Sequence, residues 1–153
     1  MNRLCWLLTV IFAAATLALV YVFVVRGATV PASDGRTAIL LAPGERDLVL
    51  AEMRTFLASV QTITTAVVEQ DAAAVIAAAR QVGAPKEHAV PASLIGKLPI
   101  AFKKLGFDTH DRFDQLALNT EQLGDTGNVL PELAQLMQNC VACHAAYRID
   151  LEP

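Results

Sequence analysis

The chain has 153 residues, 54% of them hydrophobic and 18% charged, with 12 basic against 15 acidic side chains and a formal net charge of −3. A mean hydropathy of +0.44 is too high for an ordinary soluble domain and places part of the chain in lipid. The length excludes a multidomain assembly, the mild acidity gives no support to nucleic-acid binding, and the absence of a 20–50-residue period excludes a solenoid.

Leu4 to Val25 carries no charge and is flanked by Arg3 and Arg26. That run is long enough to cross a bilayer as a helix, and Trp6 and Tyr21 stand near its ends, where amphipathic aromatics favour the interface. A cleaved signal peptide has a shorter apolar core, and Val30-Pro31-Ala32 lies late for a cleavage site. The expectation is an uncleaved signal-anchor over 1–26. Cys5, inside this run, reads as a small apolar side chain.

Residues 27–43 contain Gly27, Pro31, Gly35 and Pro43 and read as a linker. Within it Ala38-Ile39-Leu40-Leu41 is apolar, and the sequence leaves open whether it docks on the domain or lies at the membrane surface.

From 44 to 153 the pattern is helical. The first amphipathic segment, 45 to about 70, puts Leu50, Met53, Phe56, Leu57, Val60, Ile63 and Val67 at three- and four-residue steps. Asp71 is an N-cap for an alanine-rich helix over Ala72–Val82, which Gly83 and Pro85 end. Residues 83–98, with His88, form a longer joint. Pro99 opens a third helix with a stripe of Phe102, Leu105, Thr109, Phe113, Leu116, Thr120 and Leu123; Gly106 weakens it, and Asp108 can re-cap a second segment there. Thr126 or Asn128 caps a fourth helix with Pro131 in its first turn, whose inner face carries Leu133, Leu136, Met137, Cys140, Cys143, His144 and Tyr147. Four amphipathic helices with mainly short joints predict an all-α fold: an antiparallel four-helix bundle preceded by an N-terminal transmembrane helix.

The chemistry is concentrated at Cys140-Val141-Ala142-Cys143-His144. A C-x-x-C-H run reads as the attachment site of a c-type haem: each thiol forms a thioether to a haem vinyl group and the His becomes an axial ligand of the iron. On a helix these positions fall at i, i+3 and i+4, so both sulfurs and the imidazole leave one face. The competing readings are a thioredoxin-like redox pair, which needs a βαβ setting, and half of a zinc site, which needs a second set of ligands. His88 and His110 are the other histidines, and neither belongs to a matching motif.

Cys140 to Arg148, C-V-A-C-H-A-A-Y-R, on the last helix of a four-helix pattern, resembles the cytochrome c′ class, low-spin members with Met ligation included. The resemblance spans about 44–153 and is specific only at 140–148. It implies one haem c held covalently by Cys140 and Cys143, with His144 as proximal ligand, Tyr147 packed near the haem and Arg148 near the proximal face or a propionate. It also implies a domain outside the bacterial cytoplasmic membrane, in the periplasm, with residues 1–3 in the cytoplasm.

The sixth coordination position faces the first helix in that class, and Met53 lies on the apolar stripe there. A thioether trans to His raises the reduction potential and suits electron transfer; Leu50, Phe56 or Leu57 covering the iron would leave it five-coordinate. The expected function is a membrane-tethered, monohaem electron-transfer cytochrome with His144 and Met53 as iron ligands. The alternatives are a five-coordinate module that binds or senses a diatomic gas such as NO or CO, and a thiol–disulfide enzyme with a free Cys140/Cys143 pair. No nucleophile–base constellation suggests catalysis on an organic substrate.

The partners this reading allows are a redox partner protein, the membrane and a second copy of the chain as a homodimer. Residues after 26 carry 10 basic and 15 acidic groups, a net charge near −5. Lys97, Lys103, Lys104 and Arg112 gather near the start of the third helix, as a docking patch for an acidic partner or as a solvated face.

Overall fold

A computed structural model describes residues 3–83 and 90–153. The chain is mostly helical. Its elements are α1 (Arg3–Val20), a π-helical continuation (Tyr21–Arg26), β1 (Thr29–Pro31), β2 (Thr37–Leu41), α2 (Pro43–Val68), α3 (Ala72–Val82), α4 (Ala92–Lys97), α5 (Ile100–Leu123), α6 (Val129–Ala146) and β3 (Tyr147–Leu151).

Arg3–Arg26 forms one apolar helical rod of 24 residues with a mean hydropathy of 2.6 and none of its window buried. At about 1.5 Å per residue it reaches about 36 Å, enough for a ~30 Å hydrocarbon core. Thr9 and Thr16 donate their hydroxyls to the carbonyls of Cys5 and Phe12, at 2.9 and 2.8 Å. The hydroxyls of both threonines in the rod are therefore satisfied without water.

The rod ends at Gly27, whose φ of +64° is readily adopted by glycine. A Cβ at this position would fall on the Lys97 carbonyl oxygen. The next residue, Ala28, donates its N–H to that same carbonyl at 2.8 Å. The apolar rod is thus joined to the junction of α4 and α5 directly.

The all-α expectation is corrected by a small sheet in the order β1-β2-β3. β1 pairs antiparallel with β2, while β2 pairs parallel with β3 in the register Thr37–Tyr147 to Leu41–Leu151. Residues 27–43 are therefore folded where a tether was expected, and Ala38–Leu41 takes the docked placement. Ala38, Ile39 and Leu41 are buried: burial of an apolar run, with β3 satisfying its backbone, outweighs the local Gly and Pro signals. Pairing with β2 also ends α6 at Ala146, so Tyr147 and Arg148 belong to a strand.

Four helices share the main core. Phe56, Ile63 and Ala66 of α2 meet Val75, Ala78, Ala79 and Val82 of α3, Phe113, Leu116 and Ala117 of α5, and Val129, Leu133 and Leu136 of α6. Local sequence explains the ends of these helices. The Asp71 carboxylate accepts the Ala74 N–H at 2.9 Å, and Gly124 closes α5 in the left-handed region at φ +70°. Glu45 accepts the Ala42 N–H at 3.1 Å at the start of α2, one half of a capping box. α5 runs through Gly106 unbroken, and α4 occupies part of the joint expected over 83–98.

Ile63 is wholly buried, so Ile63→Ala should destabilise the domain by about 2–5 kcal/mol. Urea unfolding of the full chain in detergent, followed by circular dichroism, reads this as a lower midpoint with an unchanged slope.

Candidate functional site

A second, smaller cluster positions the motif. Ile39 and Leu41 of β2, Val49 of α2, Leu94 of α4, and Leu98 and Phe102 at the α4–α5 junction form it, and Met53, Cys143, Tyr147 and Ile149 pack against it. Met53 also packs against the main core. Met53 and Cys143, 90 positions apart, are thus held to one apolar surface.

Between α2, α5 and α6 lies a cleft of about 450 Å³. Cys140, Cys143 and His144 line one side of it, and Met53 lines it from α2, together with Leu50, Phe56, Leu57, Phe102, Phe113 and Met137. His110 and Glu52 also reach it. Met53 and the motif therefore line one cavity. Leu57, 70% exposed, and Met137, 42% exposed, give the rim apolar surface beside the exposed Glu52 and Arg54.

Neither thiol is in a disulfide. Burial pushes Cys140 above its ordinary value and Cys143 up to about 11. A pair that exchanges disulfides needs the opposite, a thiol whose pKa is depressed by nearby positive charge or a helix N-terminus; these two stand near the C-terminal end of α6. Among the described residues no three His, Cys, Asp or Glu side chains converge on a point that would hold a metal ion. The donor set suits a haem edge: two thiols one helical turn apart, an imidazole beside the second, and an apolar cleft over which a flat macrocycle can lie.

Tyr147 is half-buried and meets Phe102 edge-on, with ring centroids 5.5 Å apart; it lies against the second cluster, next to Cys143. Arg148 is turned elsewhere. Its Nε donates to Asp150 Oδ1 at 2.9 Å and its Nη1 to Asp34 Oδ2 at 3.3 Å, and it does not line the cleft. His88 and Met1 fall outside the described residues.

His110 is a satisfied core histidine. Its Nδ1 donates to the Val82 carbonyl at 2.8 Å, its Nε2 lies 3.3 Å from Glu52 Oε1, and its ring packs on Phe56 at 4.9 Å. With both nitrogens engaged, it is poorly placed to ligate iron. The Glu52 hydrogen bond, opposed by burial, raises its pKa above 6.5. A raised folded-state value means that the His110–Glu52 contribution to stability is complete below 6.5 and is lost as pH rises through the raised value. Glu52→Gln should therefore cost stability at pH 6 and little at pH 9. Urea midpoints of both proteins across that range check it, and parallel profiles would contradict it.

Three supports had no sequence signal. Arg36, in the expected linker, donates its Nη1 to the carbonyls of His144 and Tyr147, both at 3.3 Å. It covers the exposed carbonyl end of the motif helix with a cation. Asp34 orients Arg36 through Nε and Nη2 at 3.0 and 2.7 Å, and those bonds hold its own carboxyl down at about 2. On α6, just before the motif, Asn139 donates to Asp108 Oδ2 at 2.7 Å and ties α6 to α5. The basic cluster near α5 is largely answered: Lys97 pairs with Glu45 and Glu152, Arg112 pairs with Asp108, and Lys103 Nζ donates to the Ile95 carbonyl at 3.3 Å.

No protein-family model, curated protein or solved structure matches the chain.

Proposed function

We propose that this chain is a membrane-anchored, monohaem c-type cytochrome that carries electrons, with α2, α3, α5 and α6 forming the antiparallel four-helix bundle of the cytochrome c′ class. The single observation that carries the reading is the cleft in which Cys140, Cys143 and His144 on α6 share a cavity with Met53 on α2.

In this reading Cys140 and Cys143 would hold haem c by two thioethers, and His144 and Met53 would be the ligands of its iron. The haem supplies one-electron chemistry at iron. The chain's own residues fix it, exclude water and tune it. Arg36 and Asn139 hold the motif helix at its end and its side. Leu57 and Met137 provide rim surface for an apolar group to cover, and Phe56 and Phe113, stacked with centroids 5.6 Å apart, form a rigid wall. With a thioether and an imidazole as ligands the ferrous state would be favoured, and an apolar cleft would favour it further. Both suit a carrier. With the rod of α1 in the bacterial cytoplasmic membrane, the domain stands in the periplasm, held at the membrane surface by Gly27 and Ala28.

The test is the absorption spectrum of the purified full chain, ferric and ferrous, with and without carbon monoxide. A low-spin ferric spectrum and slow, incomplete carbon monoxide binding are expected. A high-spin spectrum with rapid carbon monoxide uptake would favour the five-coordinate, gas-binding module. A colourless protein would reject both.

A further inference from the structure

A second cleft, of about 340 Å³, opens between α2, α4 and α5. Its walls include Leu48, Val49, Leu94, Leu98, Phe102 and Phe107. Leu48 and Phe107 are about half exposed, at 51% and 53%, so its mouth is as apolar as its walls. Glu52 and His110 also line it, and both line the motif cleft as well. The two cavities thus share one polar wall.

The position of this cleft matters as much as its lining. Its α4 wall ends at Lys97 and Leu98, and Ala28, two residues beyond the membrane rod, is hydrogen-bonded to the Lys97 carbonyl. The π-helical end of the rod packs on both α4 and α5. Leu94, Ile95 and Leu98 are within one turn of that contact, about 5 Å along the helix. With the rod in a bilayer, an apolar opening so close to its end would lie near the headgroup region, where amphiphiles with an apolar body are concentrated.

We propose that this cleft binds the ring of a membrane quinone or quinol, its apolar tail leaving past Leu48 and Phe107 towards the bilayer. The chemistry matches that class. A quinone ring is flat and apolar with one or two oxygens at its edge, and the walls offer the faces of Phe102 and Phe107 with a single carboxylate–imidazole pair beside them. Glu52 accepts a hydrogen bond from a quinol hydroxyl, while Lys103, which also lines the cleft, donates to a quinone carbonyl. A phospholipid acyl chain would use the apolar walls and make no use of Glu52 and Lys103. The inference deepens the cytochrome reading by naming a lipid-soluble redox compound as the molecule bound next to the motif cleft.

The test uses the full chain with its haem in detergent micelles and a photoreactive azido derivative of a decyl benzoquinone. Labelling of peptides carrying Leu48 and Phe107, reduced at least fivefold by excess unlabelled decyl benzoquinone but not by phosphatidylglycerol, is expected. Leu48→Glu and Phe107→Glu, at half-exposed positions that tolerate a polar side chain, should each reduce labelling at least fivefold; Leu118→Glu, on an exposed face away from both clefts, should leave it intact. Labelling confined to α1, or equal protection by phosphatidylglycerol, overturns the proposal; competition in the unsubstituted chain decides even if a variant folds poorly. Retained quinone labelling on a chain that carries no haem would leave the cleft in place and overturn the cytochrome reading alone.

Discussion

Met53→Ala should convert a low-spin haem protein into a high-spin one that binds carbon monoxide readily, and should lower its reduction potential by on the order of 0.1 V, a fraction of the ~0.8 V over which axial ligands set haem potentials. The side chain is partly buried between the two apolar clusters and lines the same cleft as His144, so truncation opens space over the iron without disturbing the motif. The effect on folding should be smaller than that of Ile63→Ala, because Met53 belongs to neither fully buried set. Spectra and potentiometric titration of the two proteins separate these outcomes. If Met53→Ala leaves the ferric spectrum and the potential unchanged, Met53 is packing only. Met53→His, which restores a strong-field ligand, should return the low-spin state while keeping the potential low.

Cys140→Ser combined with Cys143→Ser should abolish covalent haem completely, and His144→Ala should leave the haem attached but with a disturbed iron. Intact mass and haem-linked peroxidase staining after denaturing electrophoresis read the first result; the absorption spectrum reads the second. The two thiols lie one turn apart on α6 and the imidazole follows the second, so that each side chain has one task, and removal of one task should not mimic removal of another. The haem-free double variant should also unfold at lower denaturant, because the cleft walls, Leu57 among them, would lose the apolar plate that covers them. A single Cys→Ser variant should retain haem through one thioether, with a shifted ferrous spectrum.

Much of the helical part was legible in the sequence because its signals are local. Asp71 caps α3 as its side chain and position suggest, Pro99 stands at the entrance to α5, and the uncharged run over 4–25 became a 24-residue rod. The alignment of Met53 with the motif was also legible, since both lie on apolar stripes facing a common interior. The sheet was not. Its strands are three to five residues long, and the β2–β3 pairing joins segments about 110 positions apart, a contact that no local pattern encodes. Without it, Tyr147 looks like one more helical residue, and Arg36 and Asp34 look like linker charges rather than the cap of the motif helix. Leu57 shows a related limit: its period places it in a core, yet it is 70% exposed, because the stripe it belongs to faces the cleft at that level and not a neighbouring helix. His110 shows another: its partners come from α2 and from the end of α3, and only the packing of three helices reveals them.

The most direct measurement is near-infrared magnetic circular dichroism of the ferric full chain, which identifies both axial ligands of a haem. One covalent haem per chain with the charge-transfer band of His/Met ligation is expected, and that band should vanish in Met53→Ala. A bis-imidazole band, a high-spin spectrum that Met53→Ala does not alter, or a chain that carries no haem when expressed with c-type haem assembly would contradict the pairing of His144 with Met53 across the cleft.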